Sequence, residues 1–326
     1  MTKFTFPLAA FATLLLTGTA FAAPAVVAST KPVHSLVSAV MGDTGMPSLI
    51  VKGAASPHTY SLRPSDAAAL ETADIVFWTG HGMELFLADA LETLSTNAQV
   101  VELAEAPGIE LLPVREGGAF EAHTHEGEGE DHAHEDEDGH DDHDGHEHHD
   151  HDHAHDEGDM HFWLDPENAK LMVAHIAQTL SAADPENAAA YAANAEAEAA
   201  RLDALSAELT ASLEPVADKP FIVFHDAYQY FENRFGLTVA GTVTVSPEAM
   251  PGAARIDELR SKVGELGATC VFAEPNFEPA IVRTIVEGTE AKAGTLDPEG
   301  SALTEGPDLY PKLLRSLANG LVDCLG

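Results

Sequence analysis

The alternation of strand-like and helix-like patterns along the chain constrains its fold most strongly. In residues 24–114, short apolar runs typical of buried strands alternate with helical patterns, and the strand runs are PAVVAS, PSLIVKG, DIVFWTG and AQVVELA. A second series follows near the C-terminus, with FIVFH, TVAGTVTV, TCVFAEP and AKAGTLDP as strands. Strands separated by helices form mostly parallel sheets with helices on both faces. We therefore predict an α/β fold of two lobes, each a mostly parallel sheet flanked by helices.

A long alanine-rich stretch separates the two series. Asp165 and Pro166 open a first helix as its N-cap and first residue. A second DPEN signal at residues 184–187 opens the alanine-rich helix, which can continue to about Leu213. At 1.5 Å per residue, roughly 30 helical residues reach about 45 Å, which is more than one small domain needs. We expect this helix to join the two lobes as a rigid strut.

The domain boundaries are predicted from the same patterns. The N-terminus has the layout of a secretory signal peptide, with one lysine, an apolar run and a small-residue ending, in MTKFTFPLAAFATLLLTGTAFA. We expect a signal peptide at residues 1–22, an N-terminal lobe at 23–184, a linking helix at 185–214 and a C-terminal lobe at 215–326. No later stretch approaches the roughly 18 apolar residues of a membrane span. The expected mature protein is exported, monomeric and not embedded in a membrane.

An acidic, histidine-rich insert interrupts the N-terminal lobe at residues 116–159. It holds 19 Asp and Glu residues and no Lys or Arg, which is half of the formal charge of −38. Such a composition cannot bury enough surface to offset its ordering entropy, so we expect disorder without metal. The negative charge disfavours nucleic acid as a partner and favours a cation.

The histidines of this insert are candidate ligands of an auxiliary metal site. Because each binding event must order a flexible chain, we expect lower affinity and higher capacity than at a folded site. The alternative is a solvated spacer, which would require only polar residues. The candidates are His123, His125, His132, His134, His140, His143, His146, His148, His149, His151, His153 and His155.

Three other histidines are candidates for the main metal site because they lie at strand ends or just ahead of helices. His58 is in GAASPHTYSLRPSD, His161 is in DMHFWLDPENA, and His225 ends the strand FIVFH. Open α/β sheets bind their ligands at such positions. Three neutral imidazoles suit Zn²⁺, with Asp297 in GTLDPEG or a water as the fourth ligand. The same three imidazoles could also bind copper or nickel, since Cu²⁺ binds most nitrogen-donor sites more tightly than Zn²⁺ does.

The remaining three histidines are not expected to be ligands of the main metal site. His34 is expected at a helix start near the cleft, and His81 is expected in a loop as a possible auxiliary ligand. His175 lies on a mostly apolar helix face and is expected to be structural.

Cys270 and Cys324 are the two cysteines of the chain. In an oxidising compartment such a pair favours a disulfide, which would fasten the C-terminal helix to its lobe. A metal site built on the two cysteines is the alternative. Their wide spacing and the lack of a third soft ligand nearby argue against it.

Five motifs in order resemble the zinc-specific, cluster A-I solute-binding proteins of bacterial ABC importers, the ZnuA type: GAASPHTYSLRPSD, DMHFWLDPENA, FIVFHDAYQYFENRFGL, CVFAEPNF and GTLDPEG. The resemblance covers essentially the whole mature chain. It implies a periplasmic protein whose two lobes bind Zn²⁺ in the cleft between them. It also implies delivery of that Zn²⁺ to an ABC permease driven by an ATPase. The resemblance places three ligands at His58, His161 and His225, and a disulfide at Cys270 and Cys324.

Two positions bear on the choice of metal within this resemblance. Pro57 precedes His58, where some zinc relatives carry Glu, so one candidate fourth ligand is missing. Manganese-binding relatives carry a carboxylate at the position of His225, and harder oxygen ligands suit Mn²⁺ better. The imidazole at this position therefore favours zinc.

Two other functional classes are alternatives to zinc transport. A three-histidine zinc site with an open position is also typical of hydrolases. However, the sequence contains neither an HExxH nor a GxSxG motif, so we expect no enzyme. A metal-buffering or adhesin-like exported protein is the other alternative.

Overall fold

The structure is a computed structural model. It describes residues 23–115, 158–244, 251–265, 270–277 and 279–326 of the 326-residue chain. The predicted signal peptide at residues 1–22 and the twelve histidines of the insert lie outside these ranges. Within the described ranges, no helix has the length and apolar character that a membrane crossing requires.

The N-terminal half forms a four-stranded parallel sheet in the order β2-β1-β3-β4. Its strands are β1 (Val26–Ala28), β2 (Ser48–Leu49), β3 (Ile75–Trp78) and β4 (Gln99–Glu102). The helices of this half are α1 (Lys31–Met41), α2 (Pro64–Glu71) and α3 (Leu85–Leu94). This arrangement confirms the first predicted strand and helix series.

The central strand β3 is buried on both faces, which accounts for its uninterrupted apolar sequence. Successive side chains of a strand point to opposite faces. Ile75 and Phe77 accordingly pack in the core that includes α1, whereas Val76 and Trp78 pack in the core that includes α2 and α3. Helices on both faces explain why this strand shows no polar alternation.

The C-terminal half repeats the design with a parallel sheet in the order β6-β5-β7-β8. Its strands are β5 (Phe221–Val223), β6 (Val239–Thr242), β7 (Cys270–Ala273) and β8 (Lys292–Thr295). Its helices are α6 (Gln229–Phe235), α7 (Ala253–Glu265), α8 (Pro279–Val286) and α9 (Leu309–Leu325). The predicted two-lobe α/β fold is confirmed.

Two helices lie between the sheets in sequence. α4 (Pro166–Ala183) begins after Asp165, whose side chain accepts a hydrogen bond from the backbone N–H of Glu167 at 2.8 Å. α5 (Ala188–Leu213) contains 26 residues and is about 39 Å long at 1.5 Å per residue. It packs against α1 and α4 from the first half and α9 from the second. The predicted long helix is therefore present, and it contacts both lobes.

The loop between β8 and α9 lies against the N-terminal lobe. The ammonium of Lys31, at the start of α1, is buried and donates to the carbonyl oxygens of Ser301 at 2.7 Å and Leu303 at 3.1 Å. The indole of Trp163 donates to the carbonyl oxygen of Pro298 at 3.0 Å. These bonds fix a C-terminal loop on N-terminal residues.

The predicted disulfide is confirmed between Cys270 and Cys324, with their Cα atoms 6.2 Å apart. Cys270 begins β7, and Cys324 lies in the last turn of α9. The bond therefore fastens the C-terminal helix to a central strand of its sheet.

Candidate metal centre

The structure brings His58, His161 and His225 together, and we call these three residues the histidine cluster. Each offers one ring nitrogen, and the three nitrogens lie within 4.8 Å of one another. The ring centroids are 5.5 Å apart for both pairs that involve His58 and 5.2 Å apart for His161 and His225. His161 and His225 are buried, and His58 is half-buried.

The topology of the sheets explains this convergence. His58 lies in the loop that follows β2, and His225 follows β5 after one intervening residue. His161 immediately precedes a short 3₁₀ turn at Phe162–Leu164 and then α4. Carboxyl ends of parallel strands share one edge of a sheet, so loops from both sheets meet at these edges.

The spacing of two ring nitrogens fits a tetrahedral metal ion. The Nε2 atoms of His161 and His225 are 3.3 Å apart. Two nitrogens that are each bound to Zn²⁺ at about 2.0–2.1 Å with tetrahedral geometry also lie about 3.3 Å apart. The donor set is therefore chemically and geometrically suited to Zn²⁺.

A carboxylate stands behind each of the two buried histidines. Asp159 Oδ1 lies 2.8 Å from Nδ1 of His161 and accepts from its backbone N–H at 3.0 Å. Glu274 Oε1 lies 2.8 Å from Nδ1 of His225. A carboxylate accepts hydrogen bonds, so each Nδ1 carries the proton and each Nε2 presents its lone pair to the cluster.

The pKa values of His58 and His225 shift in opposite directions. Burial lowers the pKa of His58 well below its usual value, and the neighbouring His161 and His225 lower it further. Burial also lowers the pKa of His225, but the carboxylates of Glu274, Asp226 and Asp159 together outweigh burial, so this pKa is raised. His58 is therefore ready to bind a cation at neutral pH, whereas an ion at His225 competes with a proton.

Asp297 is not part of the histidine cluster. Its Oδ2 accepts a hydrogen bond from the hydroxyl of Ser301 at 2.8 Å, and its Oδ1 accepts from the backbone N–H of Glu299 at 3.2 Å. Burial raises the pKa of Glu299 well above its usual value, and the negative charge of Asp297 raises it further. Both carboxylate oxygens of Asp297 therefore accept hydrogen bonds from residues of the same loop.

The other three histidines of the folded lobes also lie outside the cluster. His34 is buried in the first turn of α1, and its Nε2 is 3.1 Å from the carbonyl oxygen of Pro47. The side chain of His81 is 52% exposed, and its Nδ1 is 3.2 Å from Glu102. His175 is half-buried within α4. His34 lies in the first turn of a helix, as predicted, and none of the three belongs to the histidine cluster.

Sequence reasoning missed the two carboxylates that contact the candidate ligands His161 and His225. Composition places Asp159 in the acidic insert, whereas in the structure Asp159 is buried and lies two residues before His161. Glu274 was treated as the end of a strand run, TCVFAEP. A carboxylate directly after a buried strand, or one close in sequence to a candidate ligand, is the signal that could have identified them.

Comparison with known proteins identifies the family. The sequence profile of the family described as "Zinc-uptake complex component A periplasmic" (ZnuA) matches residues 26–324. The high-affinity zinc uptake system protein ZnuA of Brucella abortus (strain 2308) is 56% identical over 304 residues, covering 92% of this chain and 91% of that protein.

Two solved structures share the fold. The laminin-binding protein Lmb of Streptococcus agalactiae, described as bifunctional with adhesin and metal transporting activity, has a TM-score of 0.72 at 26% identity and covers 93% of this chain and 100% of its own. A ZnuA deletion mutant crystallised with zinc bound has a TM-score of 0.72 at 24% identity, covering 93% and 98%. With its three-histidine cluster and a profile match over nearly the whole described length, the chain belongs to the ZnuA family, the periplasmic A components of zinc-uptake complexes.

Proposed function

We propose that this protein captures Zn²⁺ in the periplasm and delivers the ion to the permease of an ABC importer. The ATPase of that importer is an indirect partner, because it acts through the permease. The observation that carries the proposal is the convergence of His58, His161 and His225, with Nε2 atoms 3.3 Å apart in the buried pair. The names of the relatives, a zinc-uptake complex component and a zinc uptake system protein, support zinc as the cargo and a multi-component uptake system as the partner. Neither nucleic acid nor membrane insertion belongs to this function.

The fourth coordination position falls to a water or to Asp297. Structural Zn²⁺ sites use four protein ligands, whereas sites that exchange their fourth ligand keep it open. Asp297 would have to exchange its hydrogen bond from Ser301 for the ion, since that bond occupies Oδ2 at 2.8 Å. A water in this position requires no such exchange.

The histidine-rich insert acts in this proposal as an auxiliary zinc collector of lower affinity. Its twelve histidines and its acidic residues concentrate cations near the protein. The insert rejoins the folded chain beside Asp159, which contacts His161 of the histidine cluster, and this supports a role in supplying zinc to it.

A binding role fits the cluster better than catalysis does. A zinc hydrolase needs a general base that is free to act on the metal-bound water. The two carboxylates that contact the cluster, Asp159 and Glu274, each accept a hydrogen bond from an imidazole Nδ1. The likeness to Lmb keeps an additional adhesin function as the second candidate, tested by binding of the purified protein to laminin.

We also propose a domain organisation that is consistent with the transport role. We place a cleaved signal peptide at residues 1–22, the N-terminal lobe at 23–184, the linking helix at 185–214 and the C-terminal lobe at 215–326, in a monomer. The carboxyl-end edges of both sheets face the cluster, so both lobes contribute ligands to one ion.

The test is a zinc titration of the mature chain against a competing chelator, with crystallographic location of the tightest-bound ion. His58→Ala, His161→Ala and His225→Ala should each reduce affinity by more than the roughly 10- to 100-fold expected for residues behind the ligands. His81→Ala is the matched control, because its side chain is exposed and lies outside the cluster. A tight site that survives all three cluster substitutions would refute the proposal.

A further inference from the structure

The two chain segments that flank the histidine-rich insert meet each other in the folded protein. We call residues 112–115 and 158–159 together the insert stem. The backbone N–H of Asp159 donates to the carbonyl oxygen of Leu112 at 2.7 Å. A Cβ atom at Gly158 would clash with that same carbonyl oxygen and lie 2.8 Å from Cβ of Leu111, so the close approach requires glycine.

The first turn of α6, in the C-terminal lobe, holds both segments of the stem. The hydroxyl of Tyr230 accepts from the backbone N–H of Leu112 at 2.8 Å and donates to the carbonyl oxygen of Asp159 at 2.7 Å. Gln229 Nε2 donates to the carbonyl oxygen of Pro113 at 3.1 Å and lies 3.3 Å from Asp159 Oδ2. Two neighbouring side chains thus bridge the two ends of the insert.

Arg115 adds an ionic link between the stem and the same lobe. Its guanidinium makes a two-pronged contact with the carboxylate of Asp226, with Nε 2.9 Å from Oδ2, and donates to Glu232 at 2.8 Å. The three side chains are largely buried, with exposed fractions of 14–16%. Paired, partly buried charges of this kind are more strongly coupled than exposed ion pairs.

The stem is connected to two of the three candidate ligands. Asp159 uses Oδ2 toward Gln229 and Oδ1 toward Nδ1 of His161, so the group that orients His161 is itself held by α6. Asp226, which forms an ion pair with Arg115, directly follows His225 in the chain. A displacement of the stem would therefore move Asp159, which contacts His161, and the backbone segment that carries His225.

Resting on the proposed zinc function, we propose that the insert stem is a clasp in which Tyr230, Gln229 and Arg115 act as positioning residues for the zinc ligands His161 and His225. The clasp holds the two imidazoles at the spacing that the ion needs and thereby slows zinc release. It also makes the attachment of the insert part of the metal centre.

The experiment measures zinc dissociation into excess chelator for the full mature chain and for three clasp variants. Tyr230→Phe removes one oxygen that bonds both stem segments and retains the ring. Arg115→Ala removes the ionic link, and Arg115→Lys keeps the charge without the planar fork. We expect Tyr230→Phe and Arg115→Ala to accelerate zinc dissociation about 10-fold or more, with Arg115→Lys intermediate.

A matched control and a spectroscopic readout separate positioning from general destabilisation. Arg315→Ala breaks a comparable two-pronged pair with Glu208 at 2.7–2.8 Å, where the two side chains are 43% and 52% exposed. That variant should release zinc at the parental rate. The visible absorption of bound Co²⁺, which reports ligand geometry, should change in the clasp variants and stay unchanged in Arg315→Ala.

The outcomes distinguish this inference from the function on which it rests. Parental zinc dissociation and parental Co²⁺ spectra in both Tyr230→Phe and Arg115→Ala would overturn the clasp, while loss of binding in the histidine variants would leave the zinc function standing. Retained binding in the histidine variants would overturn the zinc function itself. If Arg115→Ala does not fold, Tyr230→Phe decides alone.

Discussion

Glu274 Oε1 lies 2.8 Å from Nδ1 of His225 and 3.3 Å from the hydroxyl oxygen of Tyr228. Glu274 follows β7 and His225 follows β5, and these two strands are neighbours in the sheet although they are distant in sequence. The carboxylate therefore fixes both the tautomer and the orientation of a candidate ligand that follows a neighbouring strand.

The first prediction concerns this carboxylate. Glu274→Gln keeps the shape of the side chain but removes the charge that holds the proton on Nδ1. We expect zinc affinity to fall about 10- to 100-fold, measured by competition titration. Glu208→Gln, at an exposed ion pair with Arg315, is the control and should bind zinc as the parent does. Unchanged affinity in Glu274→Gln would mean that the orientation of His225 is fixed by packing alone.

The second prediction concerns metal choice. His225→Asp replaces a nitrogen donor with a harder oxygen donor, which suits Mn²⁺ better than Zn²⁺. Zinc affinity should fall markedly while manganese affinity is spared. Parallel competition titrations with the two metals measure this difference, and an unchanged zinc affinity would remove His225 from the ligand set.

The third prediction concerns pH. The pKa of His225 is raised by Glu274, so a proton competes with the ion from a higher pH than at an isolated imidazole of pKa about 6.5. The pKa of His58 is lowered, so His58 stays neutral and contributes little to the dependence. Zinc affinity should therefore decline as pH falls from about 7.5 to 5.5, because zinc binding releases the proton of His225. A flat affinity profile over this range would indicate oxygen ligands instead.

The fourth prediction concerns the insert. Deletion of residues 118–157 leaves the insert stem and the histidine cluster in place, and shortening a loop has a small entropic effect on stability. The tightest zinc-binding event should survive, while the number of ions bound per chain falls toward one. Titration of the intact and deleted proteins against the same strong chelator compares them. If the deleted form lost its tightest site, the insert would be the principal zinc binder.

The fifth prediction concerns the contact between lobes. Lys31→Met removes the ammonium that donates to the carbonyl oxygens of Ser301 and Leu303. Because hydrogen bonds from a charged group contribute about 1.5–3 kcal/mol, the free energy of unfolding should decrease by about that amount. Urea denaturation measures the change, and Lys312→Met, at an exposed position of α9, should leave stability near the parental value.

The sequence predicted the parts of the fold that depend on local pattern. The continuous apolar run of β3 and the N-cap at Asp165 each follow from physics that acts within a few residues. His58 and His225 were predicted as candidate ligands because parallel strands bring their carboxyl ends to one edge, whatever the strand order. His161 was predicted because it lies just ahead of a capped helix.

The remaining details of the site depend on contacts between distant residues. The pairing of Glu274 with His225 needs β5 and β7 to be adjacent, and a single sequence does not show strand order. Asp297 has the right chemistry and lies at a strand end, yet the hydroxyl of Ser301 occupies its carboxylate. Asp159 belongs by composition to the insert but by position to the metal centre, because Tyr230 and Gln229 hold it there.

The loop that carries Asp297 is held on the N-terminal lobe by Lys31 and Trp163, and neither of these contacts uses a member of the histidine cluster. The two lobes therefore have a mutual attachment that does not depend on the ion. In proteins that close around a ligand, part of the binding free energy is consumed by domain rotation. An attachment that is present without the ion reduces the rotation that zinc binding has to drive, so less of the binding free energy is consumed in bringing the histidines together.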